Sequence, residues 1–249
     1  MSDPVVVTDA GGVRTVRMNR PEKKNALTAA MYAAMTQALR DADTSDAVRC
    51  VMIAGAPGAF CAGNDIADFL AAAMGGGHNT QATDFLRALA QGRKPLVAAV
   101  GGVAVGIGTT MLFHCDHVVA AAEATLSTPF LKLALIPEAA STLLAPRRMG
   151  YARAFSLLAM GRPLTAAEAK DAGIVNTVVE AGALEATALQ AAQDIAALPP
   201  GALATARDLL RGNTGEITAR IEAEVAHFAK LLQSDEARAA FQAFMARKK

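Results

Sequence analysis

The chain has 249 residues, 53% of them hydrophobic and 4% aromatic, and its 24 basic and 23 acidic side chains leave a formal net charge of +1. That length and apolar fraction suit one large domain, or one domain with a small appendage, and exclude a disordered chain. A near-neutral balance without a basic stripe excludes nucleic acid as an expected partner, while a phosphate-bearing ligand needs only a local cluster of positive charge.

The runs Val5-Val6-Val7-Thr8 and Val13 to Met18 flank Asp9-Ala10-Gly11-Gly12, which predicts a hairpin. Residues 28–41 read as a helix and 49–54 as a strand, followed by a Gly55-Ala56-Pro57-Gly58 loop. Met74-Gly75-Gly76-Gly77-His78 predicts a mobile surface loop, and helix resumes over 80–91. Short strands are predicted over 117–121 and 124–127, then helices around 141–149 and 152–160. Thr165-Ala166-Ala167-Glu168 is a capping box opening another helix, and 174–179 is a strand. From Leu184 onward the pattern is helical, broken at Pro199-Pro200-Gly201 and Gly212-Asn213. The expected organisation is an α/β core over residues 1–183 with a helical region over 184–249.

The uncharged run 96–113 is long enough for a membrane span. Its four glycines and two threonines fit strand, turn and helix better, so no membrane partner is expected. Cys50, Cys61 and Cys115 lack ligand spacing and read as small buried apolar residues of a reducing compartment. Met1-Ser2-Asp3-Pro4 carries no basic region followed by an apolar one, so a cytoplasmic protein without a signal peptide is expected. His78, His114, His117 and His227 read as surface or helix-end residues, and no metal is implied.

Two segments carry the chemistry. Phe60-Cys61-Ala62-Gly63-Asn64-Asp65-Ile66 follows the apolar run Val51-Met52-Ile53, and Gly102-Val103-Ala104-Val105-Gly106-Ile107-Gly108 follows Leu96-Val97-Ala98-Ala99-Val100. Each predicts a buried strand, a glycine-containing turn and a helix start. A helix start leaves unpaired N–H groups at the positive end of a dipole. Two such starts aimed at one point can hold a developing negative oxygen. On the residues alone, the second segment is equally served by tight strand–helix packing. A dinucleotide fingerprint does not match, because Met111 stands where the third glycine belongs.

Together with Asn19-Arg20-Pro21, Lys94-Pro95, Cys115-Asp116, Thr128-Pro129-Phe130 and Ile136-Pro137-Glu138, these segments resemble the crotonase superfamily, the enoyl-CoA hydratase/isomerase group. The resemblance runs from about Val5 to the C-terminal helices. It implies a spiral of repeated ββα units with a helical C-terminal trimerisation region, assembled as a homotrimer or hexamer. It implies an acyl-CoA substrate, with coenzyme A as part of the substrate and no separate cofactor.

The resemblance further implies that the N–H groups of Asn64 and Ile107 bind the thioester oxygen. Losing one such donor typically raises a barrier by roughly 2.7–4 kcal/mol. The family often has Gly where Ile107 stands, but a backbone donor tolerates a side chain that points away. Hydratases of the family use two glutamates, at the positions of Thr110 and Phe130 here, so both carboxylates are missing. Glu138 stands where the peroxisomal-type Δ3,Δ2-enoyl-CoA isomerase branch has its single acid/base. Taken alone, Pro137-Glu138 is also what helix-capping preferences write at a helix start. Lys23 and Lys24 are implied phosphate partners of coenzyme A. Ala26, Ala62, Gly63, Asp65, Ile66 and Gly106 are implied to line or border its groove. Phe244 and Arg247-Lys248-Lys249 resemble a C-terminal helix that contacts coenzyme A. Three readings follow: Δ3-to-Δ2 enoyl-CoA isomerase, hydratase or other lyase or hydrolase using Glu138 and water, and non-catalytic acyl-CoA-binding protein.

Overall fold

The structure, a computed structural model, describes residues 3–65 and 80–246. Ile66, the 74–78 segment with His78, and the tail 247–249 lie outside the described residues, as does the side chain of Phe244.

The chain opens with the hairpin β1 (Val5–Ala10) and β2 (Val13–Met18). β1 extends two residues beyond the apolar pattern. The turn is only Gly11-Gly12, both at positive φ, whose twist matches that of the flanking strands. Helix α1 (Ala29–Thr44) starts where the Thr28 hydroxyl accepts the Met31 N–H, and it buries Met31, Tyr32, Met35, Ala38, Leu39 and Ala42. Then come β3 (Cys50–Gly55), β4 (Ala59–Cys61) and α2 (Thr80–Gln91). Next are β5 (Leu96–Val100), β6 (Val103–Val105), the single-turn α3 (Ile107–Thr110), β7 (His117–Ala121) and β8 (Thr125–Ser127). Helices α4 (Ser141–Met149) and α5 (Tyr151–Leu158) precede β9 (Leu164–Thr165), α6 (Ala166–Asp171) and β10 (Thr177–Val179). The expected capping box is present at α6. The end is helical: α7 (Leu184–Ala196), α8 (Pro200–Arg211), α9 (Thr214–Leu232) and α10 (Asp235–Ala246).

Two sheets organise these elements. The larger has the order β1-β2-β3-β5-β7-β10, parallel except for the first hairpin. The smaller has the order β4-β6-β8-β9, parallel except for its last pair. Each of β3, β5 and β7 thus hands the chain to a short strand of the second sheet, and the repeat winds as a spiral of ββα units. The three-residue strands β4 and β6 are what the sequence pattern reads as turns. Their pairing partners lie about forty residues away, and no local periodicity fits into three residues.

Strands of the larger sheet are apolar on both faces because both are covered. Val51, Ile53, Ala98, Val100, Val118 and Ala120 face the main core with α1 and α2. Met52, Ala54, Val97, Ala99, Val119 and Ala121 face Leu184, Ala188, Ala192 and Ala196 of α7. That four-residue spacing puts one stripe of small residues on the sheet, so the helix approaches closely. Farther on, Phe228, Leu232, Ala237 and Phe241 of α9 and α10 close over Phe130 and Leu135. On α8, Leu209 and Leu210 are 79% and 88% exposed. Among the described residues no helix is long and apolar enough to cross a membrane.

Candidate active site

β4 and β6 are parallel neighbours, so the chain leaves both at the same end. Gly63 lies so near Val105 that an added Cβ would sit 3.1 Å from its carbonyl oxygen, and one on Gly106 would lie 4.0 Å from the Gly63 Cα. Both glycines hold positive φ, 92° and 57°. The two loops expected to converge therefore do so.

Their N–H groups follow from the pairing. Leu27 donates its N–H to the Gly63 carbonyl at 2.8 Å, and Asp65 donates to the Leu27 carbonyl at 2.9 Å. Residues 63 and 65 thus face Leu27, and the Asn64 N–H points away from it. Ile107 is the first residue of α3, where no helical acceptor exists. Neither N–H has an acceptor among the described residues.

Glu138 does not open a helix. It lies in an irregular segment, and α4 starts three residues later, after Ala139 and Ala140 with φ of 63° and 52°. Non-glycine residues in that region cost on the order of 1–2 kcal/mol each, so other contacts must hold the turn. The carboxyl group is buried, and its Oε1 has no hydrogen-bond partner among the described residues. Burial, and secondarily the negative charge of Glu224, push its pKa up to about 8, against the opposing attraction of the Asn64 side-chain amide.

The Asn64 amide is itself oriented: its Oδ1 accepts the Tyr32 hydroxyl of α1 at 2.5 Å, which turns the amide nitrogen elsewhere. Tyr32 is held in turn against Phe85 of α2, ring centroids 5.5 Å apart. Thr110 and Phe130 are both buried, and the Thr110 hydroxyl has no partner among the described residues.

A rim borders this centre. The Lys24 carbonyl accepts the Ala62 N–H at 2.9 Å, and Arg20 donates to the Ala26 carbonyl at 3.2 Å and to Asp65 at 2.5 Å. Buried Asn25, at φ 56°, donates to the Ala56 and Ala59 carbonyls and accepts the Arg20 N–H. Lys23, Lys24, Ala26, Ala62, Gly63 and Asp65 thus lie together, with both lysines exposed. Asp65, expected in the first turn of a helix, is ion-paired with Arg20.

Of the histidines, His114 ends the 3-10 turn Met111–His114, as a helix-end residue, but not at the surface. It is buried, with its Nε2 at 2.7 Å from the Ala139 carbonyl, and burial pushes its pKa down to about 4. All three cysteines are free and buried, their thiols pushed up to about 12 by desolvation.

Sequence reasoning missed Tyr32, Asn25, the Asn64 side chain and Glu224. One signal was readable. Glu224 falls on the apolar stripe Ile217, Ile221, Phe228, Leu232 of α9, where a carboxylate has no place unless it is paired.

The chain matches the family described as enoyl-CoA hydratase/isomerase over residues 8–249. It belongs to the enoyl-CoA hydratase/isomerase family. Enoyl-CoA delta isomerase 2 of Rattus norvegicus is 37% identical over 222 residues, which are 86% of this chain and 56% of that protein. The chain therefore spans little more than half of that relative. The 1,2-epoxyphenylacetyl-CoA isomerase of Escherichia coli (strain K12) is 37% identical over 76% of this chain and 74% of its own length. A solved enoyl-CoA hydratase/isomerase from Pseudoalteromonas atlantica T6c superposes with a TM-score of 0.93 at 37% identity, covering 98% of both chains. This enoyl-CoA hydratase/isomerase family member thus shares the whole spiral with that structure.

Proposed function

We propose that the chain is an acyl-CoA isomerase that shifts a Δ3 double bond to Δ2, with Glu138 as its single acid/base. The supporting observation is a buried carboxyl group with one free oxygen, placed beside Asn64. The other carboxylate acting on it, Glu224, has both oxygens occupied by N–H and O–H donors. Glu138 takes a proton from C2 of the 3-enoyl thioester. The electron pair delocalises over C2, C3, C4 and the thioester oxygen, where the N–H groups of Asn64 and Ile107 stabilise the negative charge. The same carboxyl returns the proton at C4. No water is added and the atoms balance.

The environment suits that cycle. A base with a pKa near 8 is a stronger proton acceptor than a solvated carboxylate and a competent acid once protonated. Hydration by the usual family route uses two carboxylates that share the water, and Thr110 and Phe130 offer neither. Lys23 and Lys24 on the rim suit the phosphates of coenzyme A, and Gly63 and Gly106 let the two donor loops approach each other closely. Coenzyme A enters as part of the substrate, so no separate cofactor is needed. The exposed Leu209 and Leu210 on α8 support burial against further copies in a homotrimer or hexamer, which light scattering at micromolar concentration tests.

The test of function is to incubate a 3-enoyl-CoA and a 2-enoyl-CoA separately and follow both products. The 3-enoyl substrate should isomerise at least ~10²-fold faster than the 2-enoyl one is hydrated. Comparable hydration would replace the isomerase reading with the hydratase one. If neither reacts and C2 protons of a saturated acyl-CoA do not exchange, the chain is a binding protein.

A further inference from the structure

The turn after Glu138 is held from two sides. On one side, the His114 imidazole at the end of the 3-10 turn after α3 bonds the Ala139 carbonyl at 2.7 Å. On the other, Glu224 reaches in from α9. Its Oε2 accepts the Ala140 N–H at 2.6 Å, and its Oε1 accepts the Thr142 N–H at 3.1 Å and the Thr142 hydroxyl at 2.5 Å. Arg220, one turn earlier on α9, donates to the Thr142 hydroxyl oxygen at 3.1 Å. The clamped residues are the two consecutive left-handed alanines. A carboxylate buried on the apolar face of α9, with three donors aimed at it, is costly unless the arrangement is needed.

We propose that Glu224 is a positioning residue: by clamping the left-handed Ala139-Ala140 turn it sets the aim and the electrostatic surroundings of the Glu138 carboxyl group. This rests on the reading of Glu138 as the acid/base. The clamp acts mechanically, because the strained turn relaxes when its N–H groups lose their acceptors, and Glu138 is the residue directly before it. It also acts through charge. Burial pushes the Glu224 carboxyl up, Thr142, Ala140 and Arg220 oppose that, and its negative charge opposes ionisation of Glu138.

The other titratable groups facing this pair stay silent near neutral pH. The Cys61 thiol on β4 is pushed up to about 12 and the His114 imidazole down to about 4. Glu138 is therefore the group whose titration Glu224 governs between those limits.

The experiment is Glu224→Gln, which keeps the size and one acceptor but removes the charge and half the clamp. Turnover should fall about tenfold with KM within about twofold, since the coenzyme A rim is untouched. Independently of activity, the side-chain carboxyl-carbon NMR signal that disappears in Glu138→Gln should titrate at least about one pH unit lower in Glu224→Gln than in the parent. A folded Glu224→Gln protein with unchanged turnover and an unchanged Glu138 midpoint overturns the proposal. An active Glu138→Gln protein overturns the acid/base reading instead, and the NMR midpoint still judges the clamp. If Glu224→Gln does not fold, the parent protein carries the test. Its Ala140 and Thr142 amide signals should shift as the Glu224 carboxyl titrates, and amide signals that stay fixed through that titration overturn the clamp.

Discussion

The larger sheet and the loop junction beside it obey opposite rules. In the sheet, extended residues pair in register and bury apolar side chains on both faces. At the junction, Lys24, Asn25, Ala139 and Ala140 hold left-handed backbone, and Thr110, Glu138 and Ser141 bury polar atoms without partners among the described residues. Among the described residues, four of the five non-glycine residues at positive φ sit in the two loops that border the site, the fifth being Ala134 in the preceding turn. Such strain persists only when its surroundings over-determine it. The sheet supplies the rigidity, and the junction uses it to keep a carboxyl group buried with one oxygen unpartnered among the described residues, which suits the proposed acid/base role.

That contrast can be broken most severely at Glu138. Glu138→Gln should lower isomerisation by ~10²–10⁴-fold while leaving acyl-CoA binding nearly intact, checked by steady-state kinetics and calorimetric titration. Retained turnover would end the single-base assignment. The same variant should gain stability at high pH. A carboxyl group raised from 4.5 to about 8 favours folding below its unfolded value and loses that contribution as pH climbs through 8. At pH 9 the Gln variant should therefore be more stable than the parent by about 2 kcal/mol or more, and at pH 4 the gain should vanish. Denaturant titrations at the two pH values decide this.

In the sheet the expected signature is reversed. Ile53→Ala, fully buried in β3, should destabilise by ~2–5 kcal/mol at every pH while folded molecules keep near-normal turnover. A large loss of turnover with an intact melting curve would show that sheet and junction are not separable.

Smaller effects sharpen the boundary. Tyr32→Phe removes the hydroxyl that orients the Asn64 amide, so turnover should fall by about fivefold to tenfold with ~1 kcal/mol of stability lost. A loss of stability alone would make Tyr32 merely a core residue. The pH profile of kcat/KM should rise towards a plateau through a limb near 8, because the ionised form of Glu138 is the proposed base and its folded pKa is raised. A limb near the ordinary carboxylate range would mean that water reaches the group. The smallest effect is at exposed Lys24, at φ 50°: Lys24→Gly should stabilise by ~0.5 kcal/mol, the relief of left-handed strain less the entropy of glycine.

Much of this protein was legible from sequence by itself. Short continuous apolar runs such as Leu96–Val100, followed by glycines, fit strands covered on both faces. The Thr28 cap, the Thr165–Glu168 capping box and the helix Thr80–Gln91 depend on neighbours in sequence, so local rules suffice for them. Glycines at 63 and 106 announce backbone that other residues avoid. What only the tertiary structure decided involves partners far apart along the chain. The three-residue strands β4 and β6 exist because each pairs with the other. Glu138 looks like a helix-start residue until the turn after it is seen clamped by His114 and by Glu224, 84 residues beyond Ala140. A carboxyl group's chemistry is set by desolvation and nearby charge, and those belong to three-dimensional surroundings that no local pattern encodes.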